Sequence, residues 1–147
     1  MPKQEPKEQL AQGWLESASN LRWEAERLKD FAPAESVAAS QRCIELAVKS
    51  MFAIFGVEFD KEHQIKQEDF SQLMDKVPEN LEYLRFPRLL LLEQFWAKFR
   101  SVAEYGFEIL GVPQGKLFGK EEAELALKHA QECHWAASQL INKILYS

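Results

Sequence analysis

The stretch Pro33-Ala34-Glu35-Ser36-Val37-Ala38-Ala39-Ser40-Gln41-Arg42-Cys43-Ile44-Glu45-Leu46-Ala47-Val48-Lys49-Ser50-Met51-Phe52-Ala53-Ile54-Phe55-Gly56 decides the fold. Val37, Ile44, Ala47, Met51 and Ile54 fall on one face of a helix, and Val48 and Phe55 widen it. Pro33 suits a first helical turn, where its missing N–H costs nothing. Gly56 stands where a left-handed C-cap belongs. The spacing therefore predicts a helix over about 33–55 with a broad apolar face, and such a face needs other helices to cover it.

The flanking sequence supplies them. Upstream, over about 8–29, Trp14, Ala18, Leu21, Ala25 and Leu28 recur at alternating steps of four and three, with Glu16, Glu24, Arg27 and Lys29 off the stripe. Phe31-Ala32-Pro33 ends that helix, because proline disfavours helical geometry in the residue before it. Residues 1–7 read as a short charged arm, leaving 8–147 as a single domain. Downstream, 57–66 reads as a polar loop, and Phe70, Leu73, Met74 and Val77 fit a short helix stopped by Pro78. Pro87 is expected to open a fourth helix over about 88–110 with the stripe Leu92, Phe95, Trp96, Phe99, Ala103, Gly106 and Leu110. Residues 111–115 are a turn. The last helix begins near Gly119, with Glu121 and Glu122 suiting the positive end of its dipole and a stripe of Ala123, Ala126, Ala130, Cys133, Ala137, Leu140 and Ile144. No alternating strand pattern or hairpin signal competes. The expectation is an all-α, antiparallel up-and-down helical bundle of four long helices and one short one.

Composition narrows the function. The chain has 147 residues, 46% of them hydrophobic and 12% aromatic, enough to bury a core without staples. With 18 Lys+Arg against 23 Asp+Glu the net charge is −5, so no general basic field draws the chain to nucleic acid or anionic lipid. Its two cysteines form no CxxC pair and no disulfide framework, which suits a reducing compartment. The first seven residues are polar with no apolar run behind them. The longest pure apolar run, Leu89–Leu92, falls far short of the roughly 20 residues a membrane helix needs. The expected location is the cytoplasm, with no membrane partner.

No P-loop, GxGxxG, GxSxG or HExxH occurs, and no cofactor signature is present. His129, Cys133 and His134 on the last helix come nearest to a metal set, but Cys133 lies on the apolar stripe, where cysteine behaves as a small hydrophobe; no metal is expected. Glu45 and Lys49 are spaced i, i+4 in the favourable order for an ion pair and sit beside the core face, within reach of a neighbouring helix. Arg85, Arg88, Lys98 and Arg100 concentrate positive charge against only Glu93, with Phe95, Trp96, Phe99 and Tyr105 interleaved. Basic and aromatic residues together are what a phosphate- or base-binding face requires. Arg100 lies about 100° off the stripe centre at Phe99, so its stem can lie on apolar surface while its guanidinium reaches outward, with Glu104 one turn on as a possible partner. Leu89, Leu91 and Phe107 flank the main stripe and predict a homodimer face.

Several of these segments resemble one family. Residues 40–51, with Glu45 and Lys49, are similar to the A-E-x-x-x-K-A helix of HEPN domains (higher eukaryotes and prokaryotes nucleotide-binding). His63 followed by Phe70-Ser71-Gln72-Leu73-Met74 resembles the family's histidine before a short helix, at a longer spacing. Arg100-Ser101-Val102-Ala103-Glu104-Tyr105-Gly106 resembles its Arg-polar-x-x-x-His/Tyr segment, and residues 118–127 the opening of its last helix. The resemblance spans roughly 10–145. It implies a helical bundle that usually dimerises and often works with a small nucleotidyltransferase. Some members are metal-independent ribonucleases built on Arg-x4-6-His. Arg100 and Ser101 carry over by position, but Tyr105 occupies the histidine's place. Histidine titrates near about 6.5 and shuttles protons at neutral pH, whereas tyrosine titrates near about 10. Five helical steps also put Tyr105 about 140° around from Arg100, so the two share a ligand only through a second protomer or a distortion near Gly106.

Three functions follow as expectations. The first is a non-catalytic nucleotide- or nucleic-acid-associated accessory domain, partner of a nucleotidyltransferase in a toxin–antitoxin-like system, with Arg100, Ser101, Tyr105, Glu45 and Lys49 at its ligand site. The second is a metal-independent ribonuclease using Arg100 and Tyr105 with Glu104 as base. The third is a structural interaction domain.

Overall fold

The computed structural model describes residues 5–59 and 65–146. The first helix, α1, runs Pro6–Leu28, and Glu8 accepts a hydrogen bond from the Glu5 N–H at 3.3 Å. Helical geometry thus begins at Pro6, inside the arm expected over 1–7; residues 1–4 lie outside the described residues. α2 runs Pro33–Phe55 and ends at Gly56 with φ 66°, the left-handed cap its position calls for. α3 (Gln67–Lys76) buries Phe70 and Leu73. A 3-10 helix over Glu79–Leu84 follows it. α7 (Lys120–Tyr146) starts as expected: the Gly119 N–H donates to Glu122 Oε1 at 2.9 Å.

Most residues that the stripes of α1, α2 and α7 name are buried, with Trp14, Phe55 and Ile144 partly so, and Ala11, Phe52 and Ile141 join them. Val37, Ile44, Ala47, Val48, Met51 and Ile54 of α2 meet Ala18, Leu21 and Ala25 of α1 and Ala126, Ala130, Cys133, Ala137 and Leu140 of α7 in one cluster. α2 touches α1, α3 and α7 and also the chain between residues 86 and 117, so it is the axis of the bundle. The alanine-rich face of α7 lets these backbones approach closely. The architecture is all-α, and among the described residues no helix is long and apolar enough to cross a membrane.

The fourth helix is where expectation and structure part. In place of one rod over 88–110 the chain forms α4 (Phe86–Ala97), α5 (Arg100–Tyr105) and a 3-10 turn over Glu108–Leu110. The first break is at Phe99, whose backbone (φ −100°, ψ 4°) leaves the helical region. Its ring is held among Phe95, Trp96 and Phe118 at centroid distances of 5.4, 5.8 and 6.3 Å. The second is at Gly106 (φ 79°, ψ −175°), a conformation only glycine adopts readily. Its neighbour Phe107 pairs both ways with Val112, at 2.7 and 3.2 Å, folding the chain back.

Two consequences correct the sequence reading. The buried residues of α4 are Phe86, Leu89, Leu90, Leu92, Glu93 and Trp96, so Leu92 and Trp96 are core as the stripe has them, Leu89 is core and not a free flank, and Phe95 is exposed. Beyond Gly106 the stripe no longer faces inward, and Leu110 is exposed together with Ile109. The expected turn at 111–115 also contains one helical turn, α6 (Gln114–Leu117), started by Pro113.

Candidate functional site

α2 carries Glu45 and Lys49 on the edge that meets α4 and α5. Their ion pair, Lys49 Nζ to Glu45 Oε1 at 3.1 Å, is not a solvated surface pair: the side chains are 11% and 16% exposed. The break at Phe99 starts α5 at Arg100, whose Nη1 lies 3.5 Å from the same Glu45 oxygen. One carboxylate therefore holds two cations from two helices. The Arg100 side chain keeps 57% of its surface exposed, so its guanidinium has an open side. Arg100 pairs with Glu45 and not with Glu104, one turn on.

Beneath this pair lies a residue that the sequence reading used only as a counter-charge. Glu93 of α4 is 2% exposed, and its Oε2 has no hydrogen-bond partner among the described residues. Burial, then the nearby Glu45 charge, push its carboxyl up to about 7, with Lys49 pulling the other way. The signal was available, since 86, 89, 90, 93 and 96 are helically spaced and Glu93 sits in the middle of that set. Glu45, Lys49, Glu93 and Arg100 thus bring two acids and two bases from α2, α4 and α5 together.

Other candidates are not brought to this cluster. Ser101 and Tyr105 are exposed on α5, Tyr105 at 65%. α5 is continuous from Arg100 to Tyr105, and the distortion at Gly106 comes after both, so it does not swing Tyr105 toward Arg100. Glu104 lines a polar cleft of about 290 Å³ with Glu24, Glu35, Arg42 and Gln114. The basic run also divides. Arg88 is held by Glu132 in a two-pronged contact of 2.6 and 3.1 Å, while Arg85 adopts left-handed geometry (φ 59°) ahead of α4.

The histidines and cysteines do not gather around an ion. Trp96 Nε1 donates to His129 Nδ1 at 2.9 Å, and burial followed by the Arg88 charge lowers the His129 pKa. Burial likewise lowers His134 and pushes both thiols up, Cys43 to about 12. His63 lies outside the described residues. Among the described residues no set of three or more His, Cys, Asp and Glu side chains is arranged to hold a metal.

Fold and cluster together define an all-α bundle that presents a partly free arginine beside the half-buried Glu45 of its axial helix and the buried Glu93 of α4. The chain belongs to the HEPN domain family, whose model matches residues 11–139. Comparison with curated proteins and comparison with solved structures each gave no match.

Proposed function

We propose that this chain is a cytoplasmic, homodimeric HEPN domain that binds the phosphate of a nucleotide or RNA at Arg100, without cleaving it. In this reading it is the accessory partner of a small nucleotidyltransferase in a toxin–antitoxin-like or related system. The observation that carries the reading is the Arg100–Glu45 contact: the guanidinium is oriented from behind at 3.5 Å and open in front. A fixed, solvent-facing guanidinium suits the two-pronged geometry of a phosphate. Glu45 and Lys49 act as the support that aims Arg100, whereas Ser101 and Tyr105, expected at the same ligand site, are exposed elsewhere on α5 and have no part in this phosphate contact.

The absence of cleavage rests on what stands near the guanidinium. No histidine among the described residues joins the cluster, and Glu93, although near-neutral in pKa, is too deeply buried to reach a substrate hydroxyl. The dimer is supported by Leu91, Phe95, Ile109 and Leu110, exposed on α4 and the adjoining turn.

The test is binding of a labelled oligonucleotide and of mononucleotides at low and high salt. Wild-type binding should weaken with salt, and Arg100→Glu should weaken it by about tenfold or more, the scale of one charged hydrogen-bonded contact. Absence of binding in low salt, or binding indifferent to Arg100→Glu, overturns the reading. RNA cleavage by the wild type that is lost in Arg100→Ala would replace it with the ribonuclease alternative.

A further inference from the structure

We propose that anion binding at Arg100 is coupled to proton uptake by the buried Glu93 carboxyl, so that the site takes its phosphate more tightly as pH falls through neutrality. The inference rests on the reading of Arg100 as an anion site and adds its regulation. It stands first on geometry. Glu45 Oε1 is shared between Lys49 at 3.1 Å and Arg100 at 3.5 Å. Glu93 approaches the same pair from α4, enclosed, with one carboxylate oxygen unpartnered among the described residues.

Charge balance then sets the direction. Whatever else surrounds Lys49, protonating Glu93 makes the surroundings of Glu45, Lys49 and Arg100 one charge more positive, which favours an incoming anion, and ionising it restores a negative charge that opposes one. Ionisation of Glu93 therefore weakens anion binding at higher pH. By reciprocity, an anion on Arg100 makes ionisation of Glu93 harder and drives a proton onto it.

The groups facing Glu93 support its assignment as the titrating member. From α2 these are Glu45 and Lys49; from α5, Arg100 acts through Glu45; from α7 comes the Cys133 thiol, which burial holds well above its usual range. Ammonium and guanidinium groups keep their charge across neutral pH. Glu93 is a positioning residue here, since it reaches the ligand only through Glu45 and Arg100.

The experiment uses the full chain and sulfate, whose charge is constant between pH 6 and 8. Carbon-detected NMR follows the Glu93 carboxyl and the Arg100 guanidinium through a pH titration with and without sulfate. Sulfate should move the Arg100 signals and raise the Glu93 midpoint by about 0.7 pH, the logarithm of a fivefold change in affinity, the low end of ordinary site–site coupling. Glu93→Gln should flatten the pH dependence of sulfate affinity. If Arg100 responds to sulfate while the Glu93 midpoint stays put, or the pH dependence survives in Glu93→Gln, the coupling is wrong and the anion site stands. If Arg100 ignores sulfate at every pH, the anion site fails and the coupling with it. Should Glu93→Gln not fold, Glu45→Gln serves in its place: losing that repelling neighbour should move the Glu93 midpoint below its wild-type value, and an unmoved midpoint counts against the proposal.

Discussion

Arg100 on α5 and Glu45 on α2 meet at 3.5 Å, and their two side chains differ more than threefold in exposure, 57% against 16%. The contact is therefore lopsided in what it does. Arg100→Ala removes a largely exposed cation and should change unfolding free energy by no more than about 0.5 kcal/mol. Glu45→Ala leaves the buried Lys49 without the Glu45 partner and should cost about 1–3 kcal/mol. Urea denaturation of the two variants checks this; equal effects would mean that Arg100 is as structural as Glu45.

Glu93 gives stability a definite slope with pH. Its folded pKa of about 7 lies above the ordinary 4.5, so between those values the folded state binds more proton than the unfolded one. Its contribution is fully present below about pH 4.5 and is lost as pH rises through 7, up to a total on the order of 3 kcal/mol. Chemical denaturation at a series of pH values should show Glu93→Gln gaining on the wild type as pH rises from 5 to 8. A difference between the two proteins that is constant with pH would contradict it.

His129 contributes the opposite slope. Its imidazole accepts from the Trp96 indole through Nδ1, so the neutral ring is the one that fits, and its folded pKa lies below the usual 6.5. The unfolded chain takes the proton first, and stability present above about pH 6.5 declines as pH falls. His129→Gln should remove part of the acid-side loss. A wild-type proton NMR titration of His129 should show a midpoint below that of a model histidine.

Gly106 sets the turn after α5. An added Cβ there would strike the Val112 carbonyl oxygen and lie 2.8 Å from the Gln114 nitrogen, on a backbone already at φ 79°. Gly106→Ala should cost about 3 kcal/mol or more, read as a lowered Tm. Gly111, also at positive φ but with nothing within 4 Å of an added Cβ, should cost less.

Ile109, 89% exposed on the turn that Gly106 creates, is the most solvent-facing large aliphatic side chain among the described residues. If this turn belongs to the dimer face, Ile109→Lys should shift sedimentation from dimer to monomer while leaving the helical circular dichroism unchanged. A dimer that survives the change places the contact elsewhere.

The helices and most of the core were legible because their signals are local. The 3.6-residue stripes of α1, α2 and α7, the stops at Pro33, Gly56 and Pro78 and the start at Gly119 need no knowledge of the rest of the chain. The division of residues 86–110 was not legible, because it depends on Phe99 finding Phe118 and on Phe107 pairing with Val112, contacts made between segments. Leu92, Trp96 and Ala103 of the expected stripe are buried, but Phe95 and Leu110 are exposed, and Glu93, lying off that stripe, was not recognised as a core position. Glu45, Lys49 and Arg100 were found from sequence, but their common oxygen was not, since i, i+4 spacing describes one helix and the third member comes from another.

The axial position of α2 has a kinetic corollary. A carboxylate mounted on a helix gripped from several sides has little freedom to swing, so under the proposed reading the arginine beside it is steadied before any anion arrives. Capture should then proceed at a rate governed by diffusion and ionic steering, with no slow rearrangement preceding it.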